Sequence, residues 1–263
     1  MFERFKDCLC HPRNLGKYNR DHIGMLFLMV FIFFVLYAAM LGVRTYTEKP
    51  FDESSLTVIT SKIIQTGTSD IQFDAELKKI TGTKKEYKGD GYNLFVLPED
   101  SKVTSKMDDI NIILEEEEAS VYFGSLKASS IAYKDIRVSG FNFAEIAANN
   151  PTHMYYFKIF MGDILASSNL FFQSFSFIQG CMTSFLFFLL CLFFSYILSY
   201  VVNPTIDKGV RFKLCTYDSC AFFTGSFFAC LFNVGWLVYV SMALPMIFTI
   251  ITFRHIVKVV VRR

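Results

Sequence analysis

The sequence predicts a membrane protein: a four-helix transmembrane bundle with a small extracytoplasmic α+β domain inserted between the first and second spans. Three observations predict it. Hydrophobic residues make up 52% of the 263 positions, including 31 Phe, which is too apolar for an ordinary soluble chain of this length. The apolar sequence is gathered into blocks, one at residues 23–43 and others at 170–202 and 216–253. Between the first two blocks lies a Lys/Glu-rich stretch whose short apolar runs are separated by turn residues.

Residues 1–22 form a cytoplasmic N-terminal segment carrying Arg4, Lys6, Arg13, Lys17 and Arg20. Cys8-x-Cys10-His11 has metal-ligating residue types, but no second ligand pair follows, so a reduced tail is the expectation. Residues 23–43 make the first transmembrane helix, which at about 1.5 Å per residue covers the roughly 30 Å hydrocarbon core. Its apolar run exceeds the roughly 7–15 residues of a signal peptide, and no small-x-small cleavage site precedes Arg44, so it is read as a retained anchor.

Residues 44–169 are the extracytoplasmic α+β domain. Residues 56–64 are expected to be helical. Residues 92–97, closed by Pro98 and preceded by the turn Gly89-Asp90-Gly91, form a strand, as do 110–114, the alternating Val121, Phe123 and Leu126, and 131–136. Together they predict a small antiparallel sheet. The run Glu115–Glu118 is read as a solvated edge or turn, because a calcium site needs ligands converging from several directions. After Pro151, Phe157, Phe160, Met161, Ile164 and Leu165 recur at helical spacing and predict a membrane-proximal amphipathic helix, either lying in the interface or packing under the sheet. The domain has no cysteine and a single histidine, His153, so residues 47–150 are expected to fold without disulfide or metal. The missing cysteines and the absence of any Asn-x-Ser/Thr acceptor favour a bacterial envelope over a eukaryotic secretory setting.

Residues 170–202 form a long second transmembrane helix. At 1.5 Å per residue it would extend about 50 Å, so it must tilt or project, with Gln173, Ser174, Ser176 and Gln179 in its outer part. Asn203-Pro204 ends it. Residues 203–215 are a basic cytoplasmic loop with Lys208, Arg211 and Lys213; residues 216–253 are a transmembrane hairpin turning at Asn233-Val234-Gly235; residues 254–263 are a basic cytoplasmic tail. Residues 44–168 carry 14 Lys/Arg against 19 Asp/Glu, while the rest carries 12 against 5. Four crossings put all three basic groups on one face, which predicts a multi-pass protein of the bacterial plasma membrane with both termini cytoplasmic.

Ala221, Gly225 and Ala229 recur every four residues and form a helix-packing stripe, expected to serve contacts among the chain's own helices, with a partner helix as the alternative. Asp218 is expected near the cytoplasmic end of its span, paired with Lys213. Nucleophile-elbow, HExxH, phosphate-loop and paired-carboxylate patterns are missing from the sequence, so no catalytic, cofactor-binding or metal residue is assigned and the chain is not read as an enzyme.

Residues 5–19 (FKDCLCHPRNLGKYN), 91–100 (GYNLFVLPED), 110–124 (INIILEEEEASVYFG), 131–136 (IAYKDI) and 207–214 (DKGVRFKL) are similar, in kind and order, to those of a family. The chain resembles the Firmicutes integral membrane proteins of unknown function known as maltodextrin-utilisation proteins. The resemblance implies an accessory or regulatory protein associated with a maltodextrin-type carbohydrate ABC uptake system. Its implied partners are the lipid bilayer and ABC transporter subunits, with no nucleic acid, no cofactor and no active-site residues to carry over. The alternatives are an extracytoplasmic sensor or adaptor acting through protein contact, and an uncharacterised membrane enzyme.

Overall fold

The computed structural model describes residues 2–51, 53–67, 69–89, 91–97 and 109–261. In chain order these form α1 (Phe2–Cys10), a 3-10 turn (Pro12–Tyr18), α2 (Ile23–Thr47) and α3 (Glu53–Thr66). Strands β1 (Gln72–Asp74), β2 (Lys79–Thr81), β3 (Lys85–Lys88), β4 (Tyr92–Val96), β5 (Ile110–Leu114), β6 (Glu118–Phe123), β7 (Leu126–Ala132) and β8 (Phe141–Asn142) follow. The chain ends with α4 (Phe143–Ala147), α5 (Pro151–Ser167), α6 (Asn169–Val202), α7 (Lys208–Leu231) and α8 (Leu237–Val261). Two compact units result: residues 1–47 with 176–263, and residues 48–175.

Among the described residues four helices are long and apolar enough to cross a bilayer, α2, α6, α7 and α8, which is the build of a multi-pass membrane protein. Several boundaries differ from expectation: α2 runs past residue 43 to Thr47, α8 runs past residue 253 to Val261, and the strand expected at 131–136 is the end of β7 followed by a 3-10 turn (Tyr133–Asp135). Residues 208–215, read as loop from their charge, are the first turns of α7, because the Asp207 side chain caps the helix by accepting from the Gly209 and Val210 amides at 2.8 and 3.3 Å. The turn after α7 is a Schellman-type stop: Asn233 adopts φ 53°, and the Val234 amide donates to the Ala229 carbonyl at 2.9 Å.

In the second unit a five-stranded sheet runs in the order β3-β4-β5-β6-β7, beside a three-stranded sheet ordered β2-β1-β8. The larger sheet is not wholly antiparallel, since β4 and β5 pair in parallel, Tyr92 opposite Ile110 and Val96 opposite Leu114. Each of those strands buries four consecutive residues, the pattern of a strand covered on both faces. The expected Pro98 stop and Asp90 of the preceding turn lie outside the described residues. The run Glu115–Glu118 makes the β5–β6 turn, where Lys79 Nζ sits 3.1 Å from Glu116 and 2.7 Å from Glu117.

The α5 stripe packs under the sheet. Phe157, Phe160, Met161, Ile164 and Leu165 are at most 1% exposed and share one core with Tyr87, Leu94, Ile112 and Val121, which lie side by side across the strands. The Phe160 ring lies tilted against Phe73 at 4.9 Å and Tyr133 at 5.3 Å between centroids. Burying such side chains stabilises by about 1.5–3 kcal/mol each before ordering costs. The self-contained unit therefore extends past residue 150 and includes α5, whose start is set by Pro151 and by the Asn150 side chain accepting from the Thr152 amide at 3.1 Å.

Candidate functional site around the buried helix

The four membrane-length helices are not equivalent. The most apolar window of α7 is 72% buried, against 22% for α2 and α6 and 28% for α8, so α7 is the inner helix of its unit and the others carry its outer faces. The α7 side chains Arg211, Thr216, Asp218, Ser219 and Ser226 are buried. The centre of the unit is therefore polar as well as aromatic, which low mean hydropathy alone could have signalled.

Arg211, expected on a cytoplasmic loop, is fully buried. Its guanidinium donates to Ser199 Oγ at 2.9 Å, to the Asn203 carbonyl at 2.8 Å and to the Ile206 carbonyl at 3.2 Å. Its carbon centre lies 3.6 Å from the Tyr200 ring centroid. The carbonyls just beyond Val202 lack helical donors, and a planar cation with several N–H groups satisfies two of them while complementing the negative end of the α6 dipole. Arg211 thus ties the end of α6 to the start of α7.

The N-terminal segment is folded, not a loose tail. Arg4 forks onto Asp21 at 2.8 and 3.0 Å, and Tyr217 of α7 donates to the same carboxylate at 2.7 Å. Arg4 above all, with help from Tyr217, holds the Asp21 carboxyl below its ordinary range. Asp7 accepts from Asn14 at 3.0 Å and Tyr18 at 2.7 Å. Partial burial pushes its pKa up, but these two bonds and nearby Lys17 outweigh that and leave it lowered. Leu15 and Cys8 are completely buried, whereas Cys10 is exposed, so the Cys8-x-Cys10 pair does not converge on one point. Among the described residues no group of three His, Cys, Asp or Glu is placed to hold a metal ion.

Asp218 does not pair with Lys213. Lys213 Nζ donates to the Asn19 carbonyl at 3.3 Å, while Asp218 is fully buried against α8 and the N-terminal segment. Its Oδ1 lies 2.9 Å from Thr252 Oγ, which in turn lies 3.0 Å from the Pro12 carbonyl. Thr249 faces the same carboxyl, yet neither its hydroxyl nor Asp218 Oδ2 makes a well-formed hydrogen bond. The charge sign suggested a surface pair; burial rules that pairing out.

Along the small-residue stripe, Ala221 and Ala229 are 3% and 1% exposed. A Cβ added at Gly225 would meet Ser241 of α8, 2.7 Å from its Cβ and 3.1 Å from its Cα. In the second unit, Lys49, Phe51, Glu53, Leu56, Gly162 and Leu165 line an open cleft of about 450 Å³. His153 is turned to structural use, its Nδ1 accepting from the Asn142 amide at 3.1 Å. Comparison with protein-family models, curated proteins and solved structures finds no match.

Proposed function

We propose that the chain is an accessory or regulatory membrane protein that acts by holding partners, and, following the family resemblance, that its partners are subunits of a maltodextrin-type carbohydrate ABC uptake system. The observation that supports a holding role is the make-up of the membrane-type unit. Its inner helix α7 buries its own Tyr217, Phe222 and Phe223 in one cluster with Phe253 of α8, while α2, α6 and α8 turn large apolar side chains such as Phe31, Leu186, Phe193 and Tyr239 outward. A filled centre suits an anchor better than a solitary conduit, and wide outer faces suit lipid and neighbouring helices. Affinity purification from native membranes in mild detergent should recover permease-type subunits of such a system. Recovery of other envelope proteins instead would favour the sensor or adaptor reading, and a protein recovered without companions would sink both.

In the proposed orientation the termini face the cytoplasm and the second unit faces outside, on the strength of the basic residues that remain at the surface, Lys208 among them. A single cysteine placed at Lys84 should react with an impermeant maleimide on intact cells, and one at Lys208 only after permeabilisation. The reverse pattern would invert the topology.

A further inference from the structure

Thr252 has one hydroxyl hydrogen and two neighbours that both want it. Its Oγ lies 3.0 Å from the Pro12 carbonyl, which can only accept, and 2.9 Å from Asp218 Oδ1. If the carboxyl were ionised, both neighbours would be acceptors and one contact would lack a hydrogen. Among the described residues Asp218 is also without a counter-charge. Arg211 lies two turns earlier on α7, and its terminal nitrogens are bound to Ser199, Asn203 and Ile206. The titratable groups whose charge bears on Asp218 are thiols: Cys8 of α1, and Cys215 and Cys220 of α7 itself. α8 contributes Thr249 and Thr252, and the 3-10 turn contributes the Pro12 carbonyl; none of these can neutralise a carboxylate. A lone buried carboxylate in low dielectric is strongly disfavoured.

We propose that Asp218 is a proton-binding site, and that its bound proton fastens the N-terminal segment to α7 and α8. The chain of hydrogens is then complete: Asp218 donates to Thr252 Oγ, and Thr252 donates to Pro12. Docking covers the site, and the site holds a hydrogen that docking requires. The balance is simple acid–base chemistry. On opening, the Asp218 O–H bond breaks, the proton passes to water, and the electron pair stays on the carboxylate. The docked state binds one proton more than the open state, so raising pH favours opening and lowering it favours docking. Asp7 and Asp21 do not confuse this range, because their carboxyls are held below the usual values and stay ionised throughout it. Burial pushes Cys8, and with the Asp7 contact Tyr18, upward, so both remain neutral until strongly alkaline conditions. The inference is independent of which partner the protein serves.

Hydrogen exchange of the amides in residues 2–18, followed in the full-length detergent-solubilised protein and corrected for intrinsic rate, tests this. Between mildly acidic and alkaline pH the wild type should gain about tenfold in exchange there, with α6 unchanged. Asp218→Asn, whose amide supplies a permanent donor, should stay protected at both pH values. A segment equally protected at both pH values in the wild type, or an Asp218→Asn variant that opens like the wild type, would overturn the proposal. Should Asp218→Asn fail to fold, infrared titration of the wild type decides: a protonated carboxyl band that disappears as the segment opens supports the site, and the lack of any protonated carboxyl band at neutral pH, with the segment docked, refutes it.

Discussion

Arg211→Met should lower the melting temperature of the detergent-solubilised protein by about 6–12 °C, the equivalent of roughly 3 kcal/mol. Methionine keeps most of the apolar stem but none of the donors. Ser199, the Asn203 carbonyl and the Ile206 carbonyl would lose their partner in a place where the wild-type guanidinium is completely buried. The Tyr200 ring would also lose the cation above it, now 3.6 Å from its centroid. Arg211→Lys should fall between the two, because an ammonium on a flexible stem cannot reach three divergent acceptors or stack flat. Fluorescence-detected size-exclusion after heating provides the readout. A methionine variant melting within about 2 °C of wild type would mean that water, not Arg211, satisfies the end of α6.

Gly225→Leu should destabilise the protein by about 1–3 kcal/mol or prevent its accumulation, since the side chain would have to part α7 from α8. Even Gly225→Ala places its Cβ 2.7 Å from Ser241 Cβ, closer than carbon atoms can sit. The diagnostic variant is therefore the pair. Adding Ser241→Gly to Gly225→Ala should restore much of the lost stability, giving a favourable coupling of about 0.5–3 kcal/mol. Additive losses would show that the two positions do not meet. A stable Gly225→Leu protein that no longer recovers its partners would instead give the stripe of Ala221, Gly225 and Ala229 to a partner helix.

What the sequence made legible were elements with strong local signals. Membrane-length apolar blocks, the turn at Asn233 and the α5 stripe each announce themselves within a few residues, since helical periodicity and bilayer thickness are local constraints. The parallel pairing of β4 and β5 carries no comparable local mark. Its direction depends on the path taken between the strands, and two short apolar runs look alike in either sense. The inner helix was missed for another reason. Arg211, Leu214, Cys215, Asp218 and Phe222 fall at helical spacing on one stripe, and all are fully buried. Splitting that stripe at the last charge before residue 216 turned a continuous face into a loop plus a span. A charge reads as a surface marker, but the spacing of Arg211 places it among core residues. The docked N-terminal segment was out of reach altogether, because Asp21 meets Tyr217 across 196 positions.

The contact between Pro12 and Thr252 spans 240 positions. At synthesis speeds of about 5–20 residues per second, residue 12 precedes residue 252 out of the ribosome by roughly 10–50 s. Until then the 3-10 turn that carries Leu15 has no α8 to pack against, and loop closure over such a distance cannot begin. A segment made before α2 is thus among the last of the described elements to find its place. Its burial marks the moment when α8 has been delivered.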